Sequence, residues 1–198
     1  MIYSSKNGQQ DLTIQKGSTF RMPFLWASET KSYAAITGIT AAAPAVVTAT
    51  AHGIPDGWPV KIKDVEGMTQ INSDTLRKAV YVTDNSVRFP EINASGYDAY
   101  TSGGVLEFNT PVDLTSFTAR CQIRSSVSSD TVLVSLTTEN GGIEIDTTDY
   151  TITLVIDADD SEDFTWRRGV YSIELIAPDG SVSQIVQGAV FAESEVTR

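Results

Sequence analysis

Three features of the chain could carry reactive chemistry: its single histidine, its single cysteine and one long run of carboxylates. A lone histidine, His52, excludes a multi-histidine metal centre and any relay between two imidazoles. It stands before Gly53 in TAHGIPDG, turn chemistry, and reads as a turn residue. Ser and Asp are plentiful enough for a Ser/His/Asp triad, yet no G-x-S-x-G elbow precedes a helix anywhere. Cys121 with His52 is the other conceivable nucleophile pair. Cys121 falls on the apolar phase of an alternating stretch, where desolvation penalises a thiolate, so it reads as a small core residue.

The carboxylates are the sharper signal. Between Glu139 and Asp163 there are nine Asp and Glu and no Lys or Arg. Asp157, Asp159, Glu162 and Asp163 could converge on a calcium ion, but the EF-hand template fails for want of its glycine and terminal glutamate. A solvated loop or helix start is the plainer reading, and no metal or other cofactor is expected. A third reading makes Asp157, Asp159, Asp160, Glu162 and Asp163 a docking surface for a basic partner protein. Arg167-Arg168, the one adjacent Arg pair, is expected to answer these acids. Gly103-Gly104 and Gly141-Gly142 open no helix and so read as hairpin or bulge glycines, not phosphate cradles. Tyr97 and Tyr100 could stack on a sugar, but in a turn-rich strand module they read as minor-core residues.

The elements that must position these residues have a period of two. In Thr19–Ala27 the residues Phe20, Met22, Phe24 and Trp26 share one side, with Pro23 marking an edge or a bulge. Phe117, Ala119, Cys121 and Ile123 repeat the pattern, as do Tyr150, Ile152, Leu154 and Ile156, and then Tyr171, Ile173 and Leu175. Ala177-Pro-Asp-Gly180 predicts a hairpin into Val182–Phe191. With Leu12–Gln15 and Val132–Leu136 these make about seven strands, which predicts an all-β, immunoglobulin-like antiparallel sandwich. Only Asp157–Trp166 reads as a short helix or turn, with Asp157 as its N-cap.

Ile36–Gly104 differs, being built of short β-branched runs broken by HG, DG, EG, DN and SGG turns. It predicts a small β-barrel or curled sheet of about 70 residues. Five Lys and Arg against seven Asp and Glu give it a charge of −2, leaving −9 of the total −11 to the flanks. Two strands before it and five after make no domain separately. The expected organisation is therefore a discontinuous sandwich, 1–34 plus 107–198, with a module at 35–106 inserted after its second strand, an insertion that costs little closure entropy.

With a pI near 4.4 the chain has no basic surplus for phosphate contacts, so neither a tightly bound nucleic acid nor an anionic membrane is an expected partner. No window approaches the 18 or more apolar residues of a membrane helix. MIYSSKNGQQ shows no secretory signal, and one cysteine cannot form an intramolecular disulfide, which together suggest synthesis in a reducing cytoplasm.

The flanks carry a resemblance. LTIQKGSTF leading to Trp26, PVDLTSFTAR at Pro111–Arg120, GVYSIEL at Gly169–Leu175 and the terminal EVTR together resemble small β-sandwich proteins from the structural modules of tailed bacteriophages. The middle segment, through ITGITAAAPAVVTATAHG, VEGMTQINSDT and SGYDAYTSGG, is similar to the domain named after the first catalytic cysteine half-domain of ubiquitin-activating enzymes, which recurs in phage tail and fibre proteins. No ubiquitin chemistry follows, because the segment has no cysteine. The resemblance implies a non-enzymatic virion protein assembled in the bacterial cytoplasm. It would act as an adaptor or attachment point among neck, tail or fibre proteins and form a symmetric ring with its own copies. A capsid decoration protein, a glycan-binding adhesin and a polysaccharide hydrolase using the acidic loop remain the alternatives.

Overall fold

In the computed structural model residues 2–4 and 8–194 are described, the first three by their backbone alone. Glu195–Arg198, the last carrier of the phage resemblance, lies outside them, as do Met1 and residues 5–7 of the amino-terminal stretch. The strands in chain order are β1 (Ile2–Ser4), β2 (Gly8–Gln9), β3 (Leu12–Gln15), β4 (Phe20–Ala35), β5 (Gly38–Ile39), β6 (Ala45–Thr48), β7 (Trp58–Glu66) and β8 (Ser73–Thr83). They continue with β9 (Ser86–Phe89), β10 (Ser102–Pro111), β11 (Thr118–Arg124), β12 (Val132–Thr137), β13 (Ile143–Asp146), β14 (Thr151–Ile156), β15 (Arg168–Ile176) and β16 (Val182–Glu193). Among the described residues one α-helix, α1 (Ala158–Glu162), stands between β14 and β15, and a single 3-10 turn, Thr69–Ile71, follows β7. The chain is all-β and divides into two compact units, Met1–Ala27 with Val112–Arg198, and Ser28–Pro111.

The first unit is a sandwich. One layer pairs β13 with β14 and β14 with the first half of β4, and β1 lies parallel along Phe24–Trp26. The other runs β12, β11, β15, β16, with β2 and β3 added in parallel to β16. Register aligns the apolar rows: Ile152 faces Phe24, Leu154 faces Met22, and Cys121 lies between Leu136 and Ile173. Phe24, Ile152, Leu154, Ile123, Ile173 and Ile185 are buried in one core, with Phe20, Met22 and Trp26 packed at its border. Each such side chain contributes about 1.5–3 kcal/mol on burial, and a one-residue slip of any strand would turn its row to solvent.

Pro23 fits this ladder through its phase. Trp26 donates its N–H to the Tyr150 carbonyl, so Trp26, Phe24 and Met22 direct their backbone groups to β14 while Pro23 directs its nitrogen away. β1 pairs only from Phe24 onward, so the missing donor breaks no ladder bond. The Pro-Asp-Gly turn joins β15 to β16 as an antiparallel hairpin, with Gly180 at a φ of 83° and Asp179 accepting from the Ser181 N–H at 2.9 Å.

The second unit orders its strands β10, β7, β8, β9, β6, β5, beginning from the second half of β4. Alternation fails in Ser28–Ala35, yet the strand continues because Asn109 and Thr110 of β10 hold it. The Asn109 amide donates to the Ser28 carbonyl at 2.7 Å and accepts from Lys31 at 2.5 Å, and the Ser32 and Thr110 hydroxyls lie 2.7 Å apart. The Ile36 N–H then bonds Gly104 of β10, and the Thr37 N–H bonds Thr48 of β6. Two successive residues therefore link β10, which opens this strand order, to β6 near its other end, and the sheet curls back on itself. Trp58, Ile62, Met68, Phe89 and Leu106 fill its interior, the indole N–H donating to the Asn109 carbonyl at 2.8 Å.

Back in the sandwich, β2 and β3 keep one register along β16 and are interrupted only at Gln10-Asp11. There the chain runs close against Gly188, where a Cβ would meet the Gln10 carbonyl oxygen at 2.0 Å. At this close approach Tyr171 donates its hydroxyl to that carbonyl at 2.8 Å, and the Asp11 carboxylate accepts the Ala189 N–H at 2.9 Å. Gly188→Ala is expected to lower stability by roughly 1–3 kcal/mol through overpacking, read as a lower urea midpoint.

Candidate functional site

The carboxylates predicted to form a docking surface sit on and around α1. Asp157 is its N-cap, Asp159 and Asp160 lie in its first turn, Glu162 ends it and Asp163 is its C-cap. Asp157 occupies the N-cap position, as expected, with extended backbone and without a side-chain capping bond. A five-residue helix is too short to persist by propensity. Its anchor is Ser161, fully buried: the hydroxyl accepts the Gly17 N–H at 3.1 Å and reaches the carbonyls of Ser18 at 3.1 Å and Ala158 at 2.9 Å. The Lys16 ammonium donates to the Phe164 carbonyl, and Phe164 stacks on Trp166 with centroids 4.9 Å apart. The turn joining β3 to β4 thus holds the carboxy-terminal part of the helix and the residue after its C-cap, and the acids project from a fixed element.

All five carboxylates are exposed. Among the described residues none has an ion-pair partner or a side-chain hydrogen bond. The expectation that Arg167-Arg168 answers them is not met: the pair opens β15, the Arg167 carbonyl accepts the Ala192 N–H, and the Arg168 guanidinium lies 5.7 Å over the Phe191 ring. Arg21 is held above its ordinary pKa first by its hydrogen bond and charge pairing with Glu144, which is itself held low by Arg21, and only in last place by Asp157. No group of three or more His, Cys, Asp or Glu among the described residues is gathered closely enough to hold a metal ion.

Asp157 and Asp160 differ from the other three. They line a groove of about 250 Å³ whose walls are Leu133, Val134 and Leu136 of β12, Val155 and Ile156 of β14, and Phe164. Asp159, Glu162 and Asp163 do not line it. Asn140, in the turn after β12, closes one end by accepting the Thr137 N–H at 2.8 Å and donating to the Ser135 carbonyl at 3.0 Å. Alternation in β12 is broken by a register shift at Ile123/Arg124, so Leu133 and Val134 are both half-buried, and this apolar wall is not legible as a face in the sequence.

The remaining candidates are structural. His52 is buried; its Nδ1 accepts the Ile54 N–H at 2.9 Å, so Nε2 carries the hydrogen and donates to the Thr83 carbonyl at 2.9 Å. Both nitrogens are used within the turn, leaving neither for a ligand or a substrate. Cys121 is in the sandwich and His52 in the other unit. Burial pushes the thiol up to about 12, the opposite of an activated nucleophile. The Tyr100 hydroxyl lies 3.0 Å from the carbonyl oxygens of both Ile36 and Gly103 and shares its one hydrogen between them, which fixes it at the closure of the second unit.

The sequence matches no protein-family model, and no curated protein matches it.

Two outcomes follow from this geometry. Ser161→Ala removes the buried hydroxyl that accepts the Gly17 N–H and is expected to cost about 0.5–1.5 kcal/mol in urea unfolding, with faster hydrogen exchange at the Gly17 amide. Cys121 has a folded pKa raised from 9.0 to about 12, so the neutral thiol favours the fold fully below pH 9, and this contribution is lost as pH rises from 9 towards 12. Wild-type stability should therefore fall more steeply than that of Cys121→Ala across that window, measured by urea unfolding at each pH.

Proposed function

We propose that the chain is a structural component of a tailed-phage particle that works by docking to other virion proteins of the neck, tail or fibre, without catalysis. The observation that carries this reading is the acidic face itself. Five exposed carboxylates are held on a helix that the buried Ser161 fixes to the sandwich, and no cation among the described residues pairs with them. Uncompensated charge on a rigid element steers a basic partner and fixes register, which is what an assembly component requires. The sandwich unit has eight Lys and Arg against sixteen Asp and Glu, the other unit six against nine, so the acidity belongs mainly to one of them. The second unit, with its own core, is then free to serve a different contact, such as fibre attachment. The resemblance of the flanks to phage sandwich proteins points the same way, and copies arranged in a ring would present the face repeatedly. The virion would be its location.

Electron microscopy of particles carrying a tagged copy tests the placement. Density at the neck or tail is expected; density on the capsid lattice would replace the adaptor reading by decoration, and absence from particles would end both. Reversing Asp159, Asp160 and Asp163 to Lys should lower incorporation about tenfold or more while circular dichroism stays unchanged. Undiminished incorporation would remove the acidic face from the docking role.

A further inference from the structure

The groove beside the acidic face narrows the partner's chemistry. β12 ends its sheet, and its ladder phase follows from the Thr138 N–H bonding Ala119: Val134 and Leu136 turn their backbone groups to β11, Ser135 and Thr137 turn theirs outward. Asn140 takes the Thr137 N–H and the Ser135 carbonyl, which leaves the Ser135 N–H on this edge without a partner among the described residues. Beside Ser135, Leu133, Leu136, Ile156 and Phe164 form an apolar wall, and Asp157 and Asp160 stand in the same groove. Its volume of about 250 Å³ is below the roughly 300–1,000 Å³ of small-molecule sites and suits a side chain with its flanking backbone.

Two charged lining residues decide what occupies it. A purely apolar guest would desolvate Asp157 and Asp160 without a partner. A second copy placed face to face would bring two acidic helices together. We propose that this groove seats a short extended segment of a partner protein in which one large apolar side chain is flanked by Lys or Arg. The apolar side chain fills the space between Leu133, Leu136 and Phe164, the cation meets Asp157 and Asp160, and the guest backbone takes up the open Ser135 N–H, a partial form of strand addition. This deepens the docking function proposed above and rests on it for the partner being a virion protein.

The test uses the full chain as bait for a displayed library of random peptides, counter-selected on the chain carrying Asp157→Asn and Asp160→Asn. Enriched peptides should place Leu, Ile, Phe or Trp beside Lys or Arg. With a selected peptide, amide shifts in the isotope-labelled chain should centre on Leu133–Ser135 and Asp157–Phe164, and both the double variant and Leu133→Gln should weaken binding about tenfold. Three results would overturn the proposal: no enrichment, enrichment of basic peptides without an apolar residue, or shifts limited to Asp159, Glu162 and Asp163. Particle location is measured separately, so a chain found in the neck with an empty selection removes the groove alone. A selected peptide with no chain in any particle removes the virion role alone.

Discussion

Strand phase is the constraint on which the sandwich depends. Its one cysteine is a buried free thiol, so no intramolecular disulfide ties the layers together, and their cohesion rests on apolar rows that meet only in one register. Phe24 opposite Ile152, and Cys121 between Leu136 and Ile173, are products of that register. Cys121 illustrates the cost of polarity in such a row, since the packing that makes it a good core residue also suppresses its ionisation. The amino-terminal strands complete the arrangement by a different route. They add in parallel to β16, seating Leu12 and Ile14 in the core, and they lie this close to it at Gln10 only because Gly188 has no side chain.

The same amino-terminal segment supports the acidic face. The turn after β3 supplies the Gly17 N–H and the Ser18 carbonyl that clasp Ser161, and the Lys16 ammonium that reaches the Phe164 carbonyl. A helix of five residues carrying Asp159, Asp160 and Glu162 gains a little from acids near its amino terminus, but that gain is a fraction of a kcal/mol to about 1 kcal/mol on an exposed surface. Clasping contributes more, because a buried hydroxyl that accepts one bond and reaches two carbonyls would be costly to leave unpaired. The acids are therefore positioned by the core and not by one another.

What was legible in the sequence was whatever depended on local alternation. The rows of Ala119–Ile123, Ile152–Ile156 and Tyr171–Leu175, the Pro-Asp-Gly hairpin and the β-branched runs of the middle segment all have side-chain periods or turn residues that report directly on the structure, while Phe117 and Tyr150, placed in those rows by the alternation, lie just outside the strands. Pairings between distant segments have no such signal: nothing in Leu12–Gln15 says that it will lie parallel to Val190–Glu193. β4 beyond Ala27 was illegible because polar residues there are held by Asn109 and Thr110, some 80 positions away. β13 carries no such signal, because four residues are too few to show a period. At the candidate site the five acids could be named from composition and spacing, whereas the apolar wall beside them arises from a bulge and the closing role of Asn140 from the geometry of one turn.

The division between groove-lining and fully solvated acids bears on how such a face would discriminate. At physiological ionic strength charges are screened over about 8 Å, so Asp159, Glu162 and Asp163 act chiefly on the rate of encounter and favour any basic surface alike. Asp157 and Asp160 share their groove with Leu133, Leu136 and Phe164, and a bound segment would exclude water from them. Desolvation makes their pairing conditional, because an ill-matched guest leaves a buried carboxylate unpaired and a matched one does not. Selectivity would then reside in two of the five acids and come from the apolar neighbours that make an error costly. A uniformly acidic surface without that wall would attract basic partners without choosing among them.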